Sequence, residues 1–350
     1  MKNRVLLLSL CFVLVLCGCQ SVYYYSQAID GQLNIMMNRQ PICELLDDPE
    51  TSENLKKRLS LVLEIRDFAK NELHLPIENH YLSYVDLKRP YVVWNVFAAP
   101  EFSLAPKTWC FPVVGCVAYR GYFSAESAHR YADGLKKRNY DVYVGGAIAY
   151  STLGWFDDPV LSTIGYLSET ESAALIFHEL AHQILYIPDD TAFNESFATA
   201  VEQEGVRRWL ITNGDFEAYN LFIVKYQRHR QFVDLIMSSR RQLESLYQSN
   251  LQAPEKREKK AVLFNQLKRN YDTLKKKWNG ASGYESWFLH SLNNAKLVSV
   301  LTYQDYVPAF RNMLQKKDGD LRQFYAECLR LSQKSKTERY SGLTHYLDNP

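Results

Sequence analysis

The sequence predicts an α+β protein that is predominantly α-helical. Three observations carry this. Apolar residues recur at three- and four-residue spacing through most of the chain, which is the period of a helix with one buried face. Runs rich in β-formers are confined to the stretch from Tyr81 to Thr152. The chain has 350 residues, 47% of them hydrophobic, enough for a sizeable core.

Taken in order, Gln27 to Met37 and Leu55 to Asn71 have helical spacing and are separated by Pro41 and the turn Asp47-Asp48-Pro49. Tyr91 to Ala98 lies between Pro90 and Pro100 and is rich in Val, Trp and Phe, so it is expected to be a strand. Val113 to Tyr119 and Tyr140 to Val144 are expected as two more, with a helix from Ala125 to Lys137 between them. Gly145-Gly146 then leads into Ala147 to Thr152, expected as an edge strand. Ser168 with Glu171 has the spacing of a capping box and opens a helix through Tyr186, which Pro188 stops. Asp189-Asp190-Thr191 forms a turn, and a second helix runs from Ala192 to Thr212 with Gly214 as its C-cap. Phe216 to Trp278 reads as two long helices joined at Asn250 to Pro254, with the basic run Lys256 to Lys260 as a solvated face. Short helices complete the chain to about Leu347.

The segments group as 20–165, mixed helix and strand; 166–215, a helix pair; 216–278, a long helical hairpin; and 279–350, C-terminal helices. All belong to one region, 19–350. The formal net charge is only +2, so the total charge gives no sign of nucleic acid as a partner.

The first residues are of another kind. Lys2 and Arg4 precede the apolar run Val5 to Leu16, too short to span a bilayer and typical of a signal peptide. Leu16-Cys17-Gly18-Cys19 then resembles the bacterial lipobox. The resemblance implies that residues 1–18 are removed and that Cys19 carries a lipid, the protein's link to the membrane. Gln20 follows, not aspartate, and by resemblance to the sorting rule of enteric bacteria this implies the outer membrane, facing the periplasm. Such a compartment permits disulfides, and Cys110 and Cys116 are close enough in sequence to pair, or they remain free thiols with Cys43 and Cys328.

The stretch Phe177 to Ala200, FHELAHQILYIPDDTAFNESFATA, concentrates the chemistry. His178 and His182 stand one helical turn apart and present two imidazoles to one point. Glu179 is displaced around the helix axis, able to reach a water on a bound metal without ligating it. Two neutral nitrogen ligands with an adjacent base suit a catalytic Zn2+. A third ligand is required, and Glu195, 13 residues after His182 and early in the next helix, is the candidate.

His-Glu-x-x-His followed by Asn194-Glu195-Ser196-Phe197-Ala198 resembles the gluzincin zinc peptidases, with a shorter gap that requires a tighter turn. Tyr23 to Leu33, Phe111 to Phe123, Ala149 to Trp155 and Asn293-Asn294-Ala295 further resemble the bacterial putative-aminopeptidase family, over most of the chain. The resemblance implies a gluzincin-like zinc peptidase domain with a small sheet and a long helical hairpin insertion, acting on a peptide substrate. Glu179 is then the general base. Tyr303 or His290 is the candidate to stabilise the oxyanion, and Gly145, Gly146 and Ala147 belong to the strand that aligns substrate. The amine-binding glutamate of alanyl-type aminopeptidases has no counterpart in Gly145 to Thr152; Glu202, Asp157 and Asp158 are the substitutes in view. A zinc endopeptidase and a tethered scaffold without catalysis are the alternatives.

Overall fold

The computed structural model describes residues 22–111, 115–149, 152, 156–280, 283–289, 291–300 and 306–348. The chain begins with helix α1 (residues 22–37), β1 (Gln40–Pro41), α2 (Ile42–Asp47) and α3 (Glu53–Asn71). Ser52 caps α3 by accepting from the Leu55 N–H, and Leu59, Val62, Ile65 and Ala69 form its buried stripe. The strands follow: β2 (Ser83–Val85), β3 (Val93–Pro100), β4 (Trp109–Phe111), β5 (Gly115–Val117) and β6 (Tyr119–Tyr122). Then come α4 (Ala125–Lys136), β7 (Tyr140–Ala147) and β8 (Val160–Leu161). A short 3-10 turn leads to α5 (Glu169–Ile184) and α6 (Thr191–Thr212). The long helices α7 (Phe216–Gln248) and α8 (Ala253–Lys277) come next, then α9 (Glu285–Leu289), α10 (Asn294–Val298), α11 (Val307–Gln315), α12 (Leu321–Ser332) and α13 (Lys336–Asp348).

The architecture is mostly helical with small sheets, as expected. The strands differ in detail. β3 is central in an antiparallel sheet ordered β6-β3-β7. Gly145 and Gly146 lie inside β7, paired with Asn95 and Trp94, and do not lead into a new strand. β7 ends at Ala147; Tyr150 and Ser151 of the expected edge strand lie outside the described residues. Of the strand expected from Val113 to Tyr119, Val113 and Val114 lie outside the described residues; Gly115–Val117 is β5, which forms a hairpin with β4, and β6 begins at Tyr119 after a bend at Ala118. Cys110 and Cys116, opposite each other in that hairpin, are joined by a disulfide, while Cys43 and Cys328 are free.

The core is built around α5 and α6. Phe177 on α5 and Phe193, Phe197 and Val201 on α6 pack with Ile65 on α3, Phe310 on α11 and Phe324 on α12. α6 is buried around most of its circumference, as a central helix must be. Gly205 permits the close approach of α5: a Cβ there would lie 2.6 Å from the Phe177 ring and 2.8 Å from Leu73.

The α7–α8 hairpin has its own core of Phe232, Ile236, Leu243, Phe264, Leu267 and Tyr271. It is fastened to the β-sheet, and the run Lys256 to Lys260 is not simply a solvated face. Arg257 pairs with Glu101 at 2.6 Å, and Lys260 pairs with Asp141 at 2.6 Å. The Asn294 amide adds bonds to the carbonyls of Pro100, Glu101 and Ser103.

Candidate metal centre

The capping box seen in the sequence forms: Ser168 accepts from Glu171 N–H, and the Glu171 carboxylate accepts from Ser168 N–H. α5 ends at Ile184, two residues before the expected Tyr186, because Leu185 is extended. The tight turn to α6 is held from two sides. Asn194 Nδ2 donates to the Ile187 carbonyl at 2.8 Å, and Ile187 N–H donates to Asn194 Oδ1 at 2.9 Å. Buried Asp190 accepts from Arg339 Nη2 at 2.7 Å and from the Tyr340 hydroxyl, both on α13. The disulfide hairpin braces the same turn, since Cys116 N–H donates to Asp189.

This turn brings Glu195 against the two histidines. His178 Nε2 stands 3.2 Å and His182 Nε2 3.8 Å from the same oxygen, Oε2 of Glu195. The ligand atoms of His178, His182 and Glu195 all lie within 4.8 Å of one another and could hold a metal ion. Two imidazoles and one carboxylate converging on a point are a donor set suited to a divalent metal ion, and the group faces an open cleft.

The other ring nitrogen of His178 is engaged. Its Nδ1–H donates to Glu202 Oε2 at 3.0 Å, which orients the ring with Nε2 toward Glu195. Glu202 lies seven residues after Glu195 on the same helix face. Its part as the partner of His178 is not among the sequence expectations, although that spacing carries the signal.

Burial and charge split the titrations. Burial works against a charge on His178, but its hydrogen bonds to Glu195 and Glu202 prevail and hold its pKa well above 6.5. Burial, with His178 beside it, lowers His182 to about 4. One imidazole therefore carries a proton where a metal would sit, and the other is a free neutral donor. Burial pushes Glu179 up to about 7, opposed by His178 and helped by Glu195, Asp158 and Glu202. A carboxylate poised near neutrality is suited to move a proton both ways.

The site opens into a cleft of about 800 Å³. Its walls are aromatic: Tyr24 from α1, Phe111, Tyr119 and Phe123 from the sheet region, and Phe232, Tyr284 and Trp287 from the hairpin side. Tyr284 hydrogen-bonds to His229 at 2.7 Å, and both line the cleft. Nothing local in a sequence with 24 tyrosines marks Tyr24 or Tyr284 as cleft residues.

Of the strand expected to align substrate, Ala147 lines the cleft together with Ala149 just beyond it. Gly145 and Gly146 do not: a Cβ on Gly146 would strike the Tyr91 ring at 2.2 Å, so that glycine serves packing. Asp157 is exposed, and Asp158 is buried, accepting from Thr152 Oγ1 at 2.7 Å while its own N–H donates to His80 Nδ1. Neither aspartate lines the cleft. Tyr303, His290 and Cys19 lie outside the described residues.

Neither a curated protein nor a solved structure matches the chain. The model of a family described as putative aminopeptidase matches residues 23–343, nearly the whole sequence, and the chain belongs to that family.

Proposed function

We propose that the protein is a zinc-dependent aminopeptidase of the bacterial envelope, with a gluzincin-like catalytic domain and a lipid on Cys19. The observation that carries this is the convergence of His178, His182 and Glu195 beside the half-buried Glu179, in a chain of the aminopeptidase family. Zinc held by His178, His182 and Glu195 would supply Lewis-acid chemistry at the scissile carbonyl and at a water.

The protein's own groups do the rest. Glu202 orients the His178 ring through Nδ1. Glu179 accepts a proton from the attacking water on a carboxylate oxygen and returns it to the nitrogen of the leaving amine. Tyr303 is the proposed donor to the oxyanion, which requires a partner beyond the metal site. The peptide backbone runs beside the end of the edge strand β7, at Ala147 and Ala149. An abandoned site would have no reason to keep Glu179 half-buried beside further carboxylates, which argues against the scaffold alternative.

One observation favours an endopeptidase as the second reading. Among the described residues the carboxylates lining the cleft are Glu179, Glu195 and Glu202, and each already has a task in the centre. Short peptides with free and acetylated N-termini separate the two. Release of the first residue from the free peptide, with little cleavage of the acetylated one, is expected. Internal cleavage of both at comparable rates would establish the endopeptidase.

A further inference from the structure

We infer that α1 is a membrane-surface helix whose outer face enters the bilayer interface. Val22, Tyr25, Ile29, Leu33 and Met37 are between 41% and 75% exposed, although all are large and apolar. At 100° per residue they fall on one stripe about 120° wide and running the length of the helix, roughly 22 Å at 1.5 Å per residue. Within that arc Ser26 is the polar exception, and its hydroxyl is satisfied by the Tyr23 carbonyl at 2.9 Å. Exposed Asp30 and Asn34 begin the polar flank.

The opposite face is docked on the protein. The Gln27 side chain accepts from Phe123 N–H at 3.0 Å. Gly31 sits so close that a Cβ would lie 2.1 Å from the Phe123 ring. Ile35 is fully buried. The helix therefore keeps a fixed orientation, and the apolar stripe faces away from the protein.

The occupant follows from the chain that precedes the helix, and here the inference rests on the proposed lipid anchor. Cys19 is three residues before Val22, so a lipid there lies within about 10 Å of the start of the stripe even with the chain fully extended. A helix with an apolar face along its whole length, tethered that closely, lies flat in the interface, with Tyr25 suited to the headgroup depth. Tyr24 and Ala28, from the same helix, line the cleft. The cleft therefore lies behind α1, one helix thickness from the membrane surface.

The test uses the full-length chain, isolated from bacterial membranes and reconstituted in vesicles of phosphatidylethanolamine and phosphatidylglycerol. Exposed Cys43 is replaced by Ser, and Ile29→Cys, Leu33→Cys and Asn34→Cys are labelled singly with an environment-sensitive fluorophore. Labels at 29 and 33 should shift to the blue, brighten several-fold and be quenched by spin-labelled lipid, while the label at 34 stays as in water. Water-like signals at 29 and 33 in protein that sediments with the vesicles would overturn the inference and leave the anchor intact. Mass spectrometry of the N-terminal peptide scores the anchor separately: an unmodified Cys19 with labels still quenched by lipid would refute the anchor alone. Labels at 29 and 33 that become buried without vesicles, in proportion to protein concentration, would show that a second copy covers the stripe and would overturn the membrane assignment.

Discussion

Glu202 provides a quantitative test of the metal centre. Its carboxylate accepts from His178 Nδ1–H at 3.0 Å, with the two side chains only 24% and 18% exposed. Glu202→Gln preserves size and leaves an acceptor for the Nδ1 proton. It removes the negative charge that strengthens Nε2 as a donor toward the metal. A carboxylate in this position typically carries tenfold to a hundredfold in metal affinity, or about 1.4 to 2.7 kcal/mol. The loss should be smaller than that of Glu195→Gln, which deletes a proposed ligand. Zinc affinity is measured by competition with a chelating indicator across a pH series. The pH dependence is diagnostic. Glu202 also helps keep His178 protonated in the metal-free protein, so its removal eases displacement of that proton. The affinity gap between wild type and variant should therefore narrow as pH falls. An unchanged affinity, or a gap that widens in acid, would refute the assignment of Glu202 as the carboxylate that tunes His178.

Glu179→Gln should leave zinc binding intact and lower peptide hydrolysis by roughly a hundredfold to ten-thousandfold, and undiminished turnover would remove Glu179 as the base. Asp190→Ala leaves the buried Arg339 guanidinium without its carboxylate and should cost about 3 to 5 kcal/mol in urea unfolding; a loss well under 1 kcal/mol would mean the pair does not hold the α5–α6 turn. For the metal-free protein, burial raises Glu179 from 4.5 to about 7 and lowers His182 from 6.5 to about 4. Glu179 thus gives stability below pH 4.5 that is lost toward pH 7, while His182 gives stability above pH 6.5 that is lost toward pH 4, so the two oppose each other. His178, held above 6.5 by its carboxylates against the effect of burial, gives stability that is lost as pH rises through its folded value. The Tm of metal-free protein should therefore fall from pH 6.5 upward, and saturating zinc should abolish the fall; a metal-free Tm that climbs over that range would contradict the charge state assigned to His178.

The sequence by itself determined the features that depend on near neighbours. The three- and four-residue apolar period located α3, α5, α6, α7 and α8, since helix geometry relates residues within a turn or two. The Ser168–Glu171 box and the His178–His182 pair are local in the same sense, spanning three and four residues, whereas the six-residue spacing of Cys110 and Cys116 left a disulfide and free thiols both open until the hairpin placed them opposite each other. Glu195 was legible because one turn joins its helix to that of the histidines.

Tertiary structure alone decided the partners that stand far apart along the chain. Arg339 reaches Asp190 across 149 positions, and Lys260 reaches Asp141 across 119. A basic run or a turn aspartate looks the same in sequence whether solvated or paired. Likewise Gly146 reads as a site for a ligand until Tyr91 is seen lying over it. Nor does any local pattern distinguish the tyrosines of the cleft from those of the core. The stripe on α1 has the helical period of a buried face, and only the packing of Ile35 and Gly31 on the other side shows that it points outward. Local periodicity reports that a face is apolar; which surface covers it is settled by how the elements pack.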